Sequence, residues 1–125
     1  MNALEQFKKQ KYLNLETFRR SGESMKTPVW FVQEDDTLYV QTVANSGKVK
    51  RIRNNGSINI APCRMDGTPN GCWVPAIARE VTSMEIIKKV NRLLEKKYGL
   101  IKKLFALHAN RQRRVDTILE IILVK

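Results

Sequence analysis

Apolar and polar residues alternate with a period of two over much of this chain. Leu13, Leu15 and Thr17 fall on one side of Tyr12–Arg20, which reads as a strand. Ser21-Gly22-Glu23-Ser24 is a turn. Val29, Trp30, Phe31 and Val32 make Thr27–Gln33 a second strand, with Pro28 near its start, where a missing N–H does least harm. Glu34-Asp35-Asp36 is a tight polar turn, and Thr37–Val43 returns as its hairpin partner. Ser57–Cys63, with Ile58 and Ile60 pointing one way, and Cys72–Val81 flank the turn residues Asp66-Gly67 and Pro69-Asn70-Gly71. A last strand, Arg114–Lys125, puts Val115, Thr117, Leu119, Ile121 and Leu123 on one side and Ile118, Ile122 and Val124 on the other. Apolar residues on both faces point to a central strand or an interface strand.

Elsewhere the spacing turns helical. Residues 2–10 predict a short helix with Leu4 and Phe7 on one face. In Ser46–Asn54, Val49 and Ile52 stand three apart among Lys48, Lys50, Arg51 and Arg53, a short basic helix with one apolar stripe. Asn45 or Ser46 can cap its start, and Asn54-Asn55-Gly56 can end it in a left-handed turn. Thr82 and Glu85 have capping-box spacing before a helix whose stripe is Ile86, Ile87, Val90, Leu93 and Leu94, ended by Gly99. A second short helix follows at Leu100–His108. About six strands, mostly joined as hairpins, with short helices and no repeating βαβ unit, predict a small antiparallel barrel of mainly β (α+β) class. The 125 residues suit one domain spanning 1–125.

Composition changes this picture in one respect. The net charge is +11, from 23 Lys and Arg against 12 Asp and Glu, which favours an anionic partner. Nucleic acid is one such partner, but the predicted strands are aliphatic and the cations crowd the helices, so the stacking surface it needs is missing. An acidic membrane is another, but the apolar stripe of the 84–97 helix is better used on the barrel. No apolar run approaches the roughly 20 residues of a membrane helix, and the first residues lack the apolar core of a signal peptide, so a cytoplasmic protein is expected. Cys63 and Cys72 read as two thiols rather than a disulfide in that compartment, and with one distant His108 they give too few ligands for a metal.

Catalytic constellations are absent. There is one histidine, no Gly-x-Ser-x-Gly, and the acids at 34–36 belong to a turn. Gly47-Lys48 resembles only the end of a P-loop: Thr42 stands where the loop glycine belongs, and Val49 follows the lysine. The segment still has the physics of a phosphate site. A strand ends at Gln41-Thr42, and a helix begins at Ser46-Gly47-Lys48 with exposed N–H groups and a positive dipole end. Gly47 admits close backbone approach, Thr42 and Ser46 offer hydroxyls, and Lys48 with Lys50 or Arg51 offers charge. From these residues alone a phosphate site and a solvated basic helix stand level.

The order of segments carries a resemblance. Thr27-Pro-Val-Trp-Phe-Val, Leu38-Tyr-Val-Gln-Thr42, Ser46-Gly-Lys-Val-Lys-Arg-Ile-Arg-Asn-Asn55 and Ile58-Asn-Ile-Ala-Pro-Cys63 follow one another. This series, within residues 8–124, resembles the pyridoxamine 5′-phosphate oxidase-like split β-barrel family. It is most similar to that family's branch of small deazaflavin (F420)-dependent oxidoreductases. The resemblance implies a homodimer with two coenzymes, F420 or FMN, at the subunit interface, and a small-molecule substrate. It implies that the backbone of Pro28, Val29 and Trp30 lines the isoalloxazine ring. It further implies that Thr42, Ser46, Gly47 and Lys48 hold the phosphate, with Lys50 or Arg51 nearby, and that Trp73 contributes from the other subunit. Trp30 and Trp73 also read as core or dimer-interface aromatics, and for Trp73 the two readings stand level.

Two departures bear on activity. Relatives that oxidise pyridoxamine phosphate commonly have arginine where this chain has Gly47, and they carry a C-terminal substrate-binding segment beyond the last strand. Genuine pyridoxamine phosphate oxidase activity is therefore not expected. Hydride transfer to a small reducible molecule is, because a coenzyme supplies that chemistry and the protein need only hold it. An FMN-binding protein is the alternative, and a haem-binding role fits the same fold.

Overall fold

The computed structural model describes residues 3–99 and 116–124. The predicted helix at 100–108, His108 and the first residues of the predicted last strand lie outside them.

Seven strands form one antiparallel sheet: β1 (Tyr12–Phe18), β2 (Ser24–Trp30), β3 (Val32–Glu34), β4 (Thr37–Val43), β5 (Ser57–Cys63), β6 (Val74–Val81) and β7 (Asp116–Leu123). Their order is β2-β1-β5-β6-β7-β4-β3. The two edges of this sheet, β2 and β3, are joined through the single residue Phe31. So short a link forces the edges together, and the sheet rolls into a barrel with an unpaired seam between β2 and β3.

That seam explains seven strands rather than six. The apolar run predicted as one strand at 27–33 is divided at Phe31, because the chain there leaves one edge of the sheet and joins the other. β2 also starts earlier than expected, at Ser24, so Pro28 lies inside it, opposite Asn14. The strand tolerates proline because it is an edge: the N–H that Pro28 lacks has no second strand to serve. The β3–β4 turn at Asp35-Asp36 forms as predicted, with Glu34 facing Thr37. The strand expected from Cys72 begins instead at Val74, leaving Cys72 and Trp73 in the preceding loop.

Strand alternation sorts the side chains as expected. Leu13, Leu15, Ile58, Ile60, Leu119 and Ile121 point inward and are fully buried, together with Phe31, Leu38 and Val40. The N-terminal residues Ala3–Phe7 form a 3₁₀ turn that adds Leu4 and Phe7 to this core. The first α-helix, α1 (Gly47–Asn54), closes one end of the barrel by inserting Val49 and Ile52. The second, α2 (Met84–Tyr98), lies outside. Its Val90, Leu94 and Tyr98 cover Val32, Tyr39, Val81 and Ile118, with Ile86, Ile87 and Leu93 packed alongside.

Helix ends differ from the sequence reading in detail. Ser83 rather than Thr82 precedes α2, with no side-chain cap bond, so the capping box is not formed. Gly99 ends α2 at φ +57° as expected. After α1 the backbone does not turn left-handed; Asn55 is extended, φ −149°. Gly56 serves close approach instead. Its carbonyl accepts from Ala78 N at 2.8 Å, and a Cβ there would stand 2.8 Å from Ala78 O.

β7 is central, flanked by β6 and β4, which accounts for its two apolar faces. On the outer face the β6–β7 partners run Val81–Ile118, Arg79–Glu120, Ile77–Ile122. The first pair lies under α2. Beyond it Arg79 and Glu120 form an ion pair at 2.8 Å, and Ile77, Ile122 and Val124 are about half exposed (54%, 48% and 50%). No helix among the described residues is long and apolar enough to cross a membrane.

Candidate functional site

The basic segment is built around the start of α1. Ser46 N donates to Val43 O at 3.1 Å, so the chain leaves β4 in a tight turn and enters the helix within three residues. Ser46 is the N-cap, extended at φ −71° and ψ 160°, yet its hydroxyl caps nothing. Ser46 Oγ is buried without a hydrogen-bond partner. An unsatisfied buried hydroxyl is disfavoured by about 1–3 kcal/mol, so an acceptor or donor is wanted there.

The charges beside it deepen the point. The first N–H groups of α1 have no partner within the helix, and its positive dipole end faces the same place. A carboxylate would suit that position, but the first turn holds none. Lys48 occupies it instead, half-buried. Burial first, and the Arg51 guanidinium second, hold its amine below the ordinary lysine value. Cations at the positive end of a helix raise the energy of the free protein, and an anion would lower it.

Arg51 is held in this arrangement by Thr17. Its Nε donates to Thr17 Oγ1 at 2.7 Å, and Thr17 is fully buried on β1. The guanidinium folds back over Gly47: a Cβ at Gly47 would stand 2.8 Å from Arg51 Nη1. Glycine thus leaves room for an arginine one turn later to reach the helix start.

A second arginine fixes the helix. Arg53 makes a bidentate pair with Glu80 of β6, at 2.9 and 3.0 Å, and also donates to Ala44 O at 3.3 Å. Glu80 accepts in turn from Thr117 Oγ1 at 2.8 Å, and Thr117 is the β7 partner of Thr42. Thr17, Arg53, Glu80 and Thr117 were not singled out from sequence. A hydroxyl at the core-facing position after Leu13 and Leu15 was the available signal for Thr17.

The structure therefore brings Ser46, Gly47, Lys48 and Arg51 together, with buried Thr42 at the end of the adjoining strand. Lys50 is exposed, on another face of α1.

Pro28, Val29 and Trp30 lie farther along the sheet. Thr17 faces Met25 and Asn14 faces Pro28, so the three-residue step along β1 places Pro28 about 10 Å from Arg51's anchor. The faces of β2 here are occupied. Val29 packs on the core. Gly67 lies against Pro28 on the other side, its carbonyl accepting from Asn14 Nδ2 at 2.8 Å. The Trp30 ring stacks on Tyr98 at 4.4 Å and 10°. Trp73 reaches the same strand, with Lys26 Nζ 5.3 Å from its ring. Along Pro28 and Val29 no strand among the described residues pairs the outer backbone edge, since β2 ends the sheet.

The cysteines are both free, Cys63 buried and Cys72 exposed. Burial, with Asp66 nearby, pushes the Cys63 thiol up to about 11, which makes it inert rather than nucleophilic. Among the described residues no three His, Cys, Asp or Glu are grouped to hold a metal ion.

No protein-family profile matches the chain, and no curated protein does. Solved structures do. The heme storage protein HutZ from Vibrio cholerae superposes with a TM-score of 0.73 at 16% identity, over 97% of this chain and 87% of that one. A Listeria innocua protein provisionally assigned as a pyridoxamine 5′-phosphate oxidase gives 0.69 at 12% identity, over 98% and 90%. An F420-H2-dependent reductase, FDR-A, gives 0.62 at 15% identity, over 89% and 93%. With the sheet order and the seam at Phe31, these likenesses show that the chain has the split β-barrel fold of the pyridoxamine 5′-phosphate oxidase-like proteins.

Proposed function

We propose that this chain is an oxidoreductase that binds a flavin-type coenzyme, with F420 the first candidate and FMN the second. The observation that carries the reading is the buried, unpartnered Ser46 hydroxyl at a helix start where Lys48 and Arg51 crowd without a counter-ion. A phosphate answers each feature at once: it accepts from the hydroxyl and the helix N–H groups, and it neutralises both cations.

In this reading Thr42, Ser46, Gly47, Lys48 and Arg51 hold the phosphate, and Lys50 adds only to the local field. The backbone of Pro28, Val29 and Trp30 lines the ring, and Trp73 contributes from the other subunit. The bound coenzyme supplies hydride transfer, and the protein orients the ring and keeps it from water. The fold likeness to an F420-H2-dependent reductase favours F420, and the net charge of +11 suits its acidic tail. Titrating the purified protein with FMN and with F420 in parallel, by fluorescence, tests this. Micromolar binding of one is expected; binding of neither would sink the proposal.

The same reading needs a homodimer, since one sheet edge gives the ring a single wall. Support comes from the open outer face at Ile77, Ile122 and Val124, around a groove of about 520 Å³. Its central Arg79–Glu120 pair carries both signs, as a self-complementary surface must. Ile122→Glu is expected to yield a monomer in sedimentation velocity and to weaken coenzyme binding with it. A dimer that survives the substitution would place the interface elsewhere.

A further inference from the structure

The barrel end opposite α1 carries a second group of cations. Lys8, Lys9 and Lys97, with Asp35, surround an open groove of about 490 Å³ floored by Phe7 and Phe31. That volume lies within the roughly 300–1,000 Å³ of small-molecule sites. The groove is remote from Ser46. Thr17, which holds Arg51, and Tyr12, which faces Trp30 next to Phe31, are five residues apart on β1, about 17 Å.

Lys97 is fixed in this groove. Its Nζ donates to Phe31 O at 2.8 Å and stands 3.6 Å from the Phe31 ring centroid. Lys97 is exposed as a whole, yet partial burial at its amine lowers it to about 8. No Asp or Glu side chain forms an ion pair with Lys8, Lys9 or Lys97. All 12 acids of the chain are among the described residues, so no further carboxylate side chain is in reserve. Lys9 and Asp35, at φ +63° and +52°, are the two non-glycine residues with left-handed backbone among those described, and both line this groove.

We propose that this groove is a second anion site, taking a small phosphorylated compound whose phosphate sits on Lys97 between Lys8 and Lys9. A phosphate matches the site better than a carboxylate. It brings nearly two negative charges and three acceptor oxygens, against three ammonium groups offset by one carboxylate.

The test uses inorganic pyrophosphate and the full chain. Lysine acetylation is mapped by mass spectrometry with and without millimolar pyrophosphate, at matched ionic strength. Lys97 is expected to react several-fold more slowly with pyrophosphate present, both in the unaltered protein and in Lys48→Ala. The protection should vanish in a Lys8→Gln, Lys9→Gln double variant. No protection of Lys97, or protection that persists in the double variant, overturns the proposal. Protection confined to Lys48 would do the same while leaving the coenzyme reading intact.

Discussion

Replacing Lys48 by alanine is expected to weaken the proposed coenzyme binding by roughly 1.5–3 kcal/mol, the worth of one charge-assisted hydrogen bond in a sheltered place. Arg51→Ala has a similar effect on binding and a further one on the fold. Thr17 Oγ1, fully buried, loses the Nε donor 2.7 Å away, at a cost of about 1 kcal/mol or more in urea unfolding. The double variant should fall short of the sum. Without Arg51 the Lys48 amine is relieved of a neighbouring charge, so the two sites are coupled. Lys48→Met separates charge from packing, since it keeps the stem. If Lys48→Met binds coenzyme like the unaltered protein, the cation has no part in the site, and α1 returns to being a solvated basic helix.

Tyr98→Phe is expected to destabilise the protein by roughly 1–3 kcal/mol, chiefly from the buried Phe31 N–H left unsatisfied. The hydroxyl accepts from Phe31 N at 3.0 Å and lies 2.7 Å from Lys11 O and 2.9 Å from Phe31 O. It has one proton to give. Phe31 O already accepts from Lys97, so that proton goes to Lys11 O. Through one oxygen, Tyr98 thus ties α2 to the link between β2 and β3 and to the start of β1. Burial pushes its ionisation above the ordinary tyrosine value, so the bridge stays protonated at neutral pH. The ring remains in the variant, still stacked on Trp30, so the loss in urea denaturation reports the hydroxyl alone. A change within experimental error would mean that water replaces it freely and that the seam is less tightly held than its geometry implies.

The inward faces of β1, β5 and β7 were legible because period-two alternation is a local property and each strand buries one face. The stripe of α2 was legible for the same reason at helical period. The break at Phe31 was not. Residues 29–32 are uniformly apolar, and nothing local marks where a chain crosses from one sheet edge to the other. Pro28 reads as a strand start in the sequence for the same reason. The capping box at Thr82 and Glu85 had the right spacing, but the chain leaving β6 sets the backbone of Ser83, and no side-chain cap forms.

The same division holds for the basic stretch. Its residue types and their spacing after a strand mark a candidate anion site, though they do not separate it from a solvated helix. Three contacts made between elements now weigh on that choice: Thr17 holding Arg51, Glu80 and Thr117 holding Arg53, and the turn that buries Ser46 Oγ without a partner. By itself the sequence determined the inward faces of the strands, the two amphipathic helices and the place of the charges, since these follow from local periodicity and backbone preference. Only the tertiary structure decided which cations are pinned, which hydroxyl is stranded and where the sheet is open. Those depend on pairing between segments far apart in the chain, on which local pattern is silent.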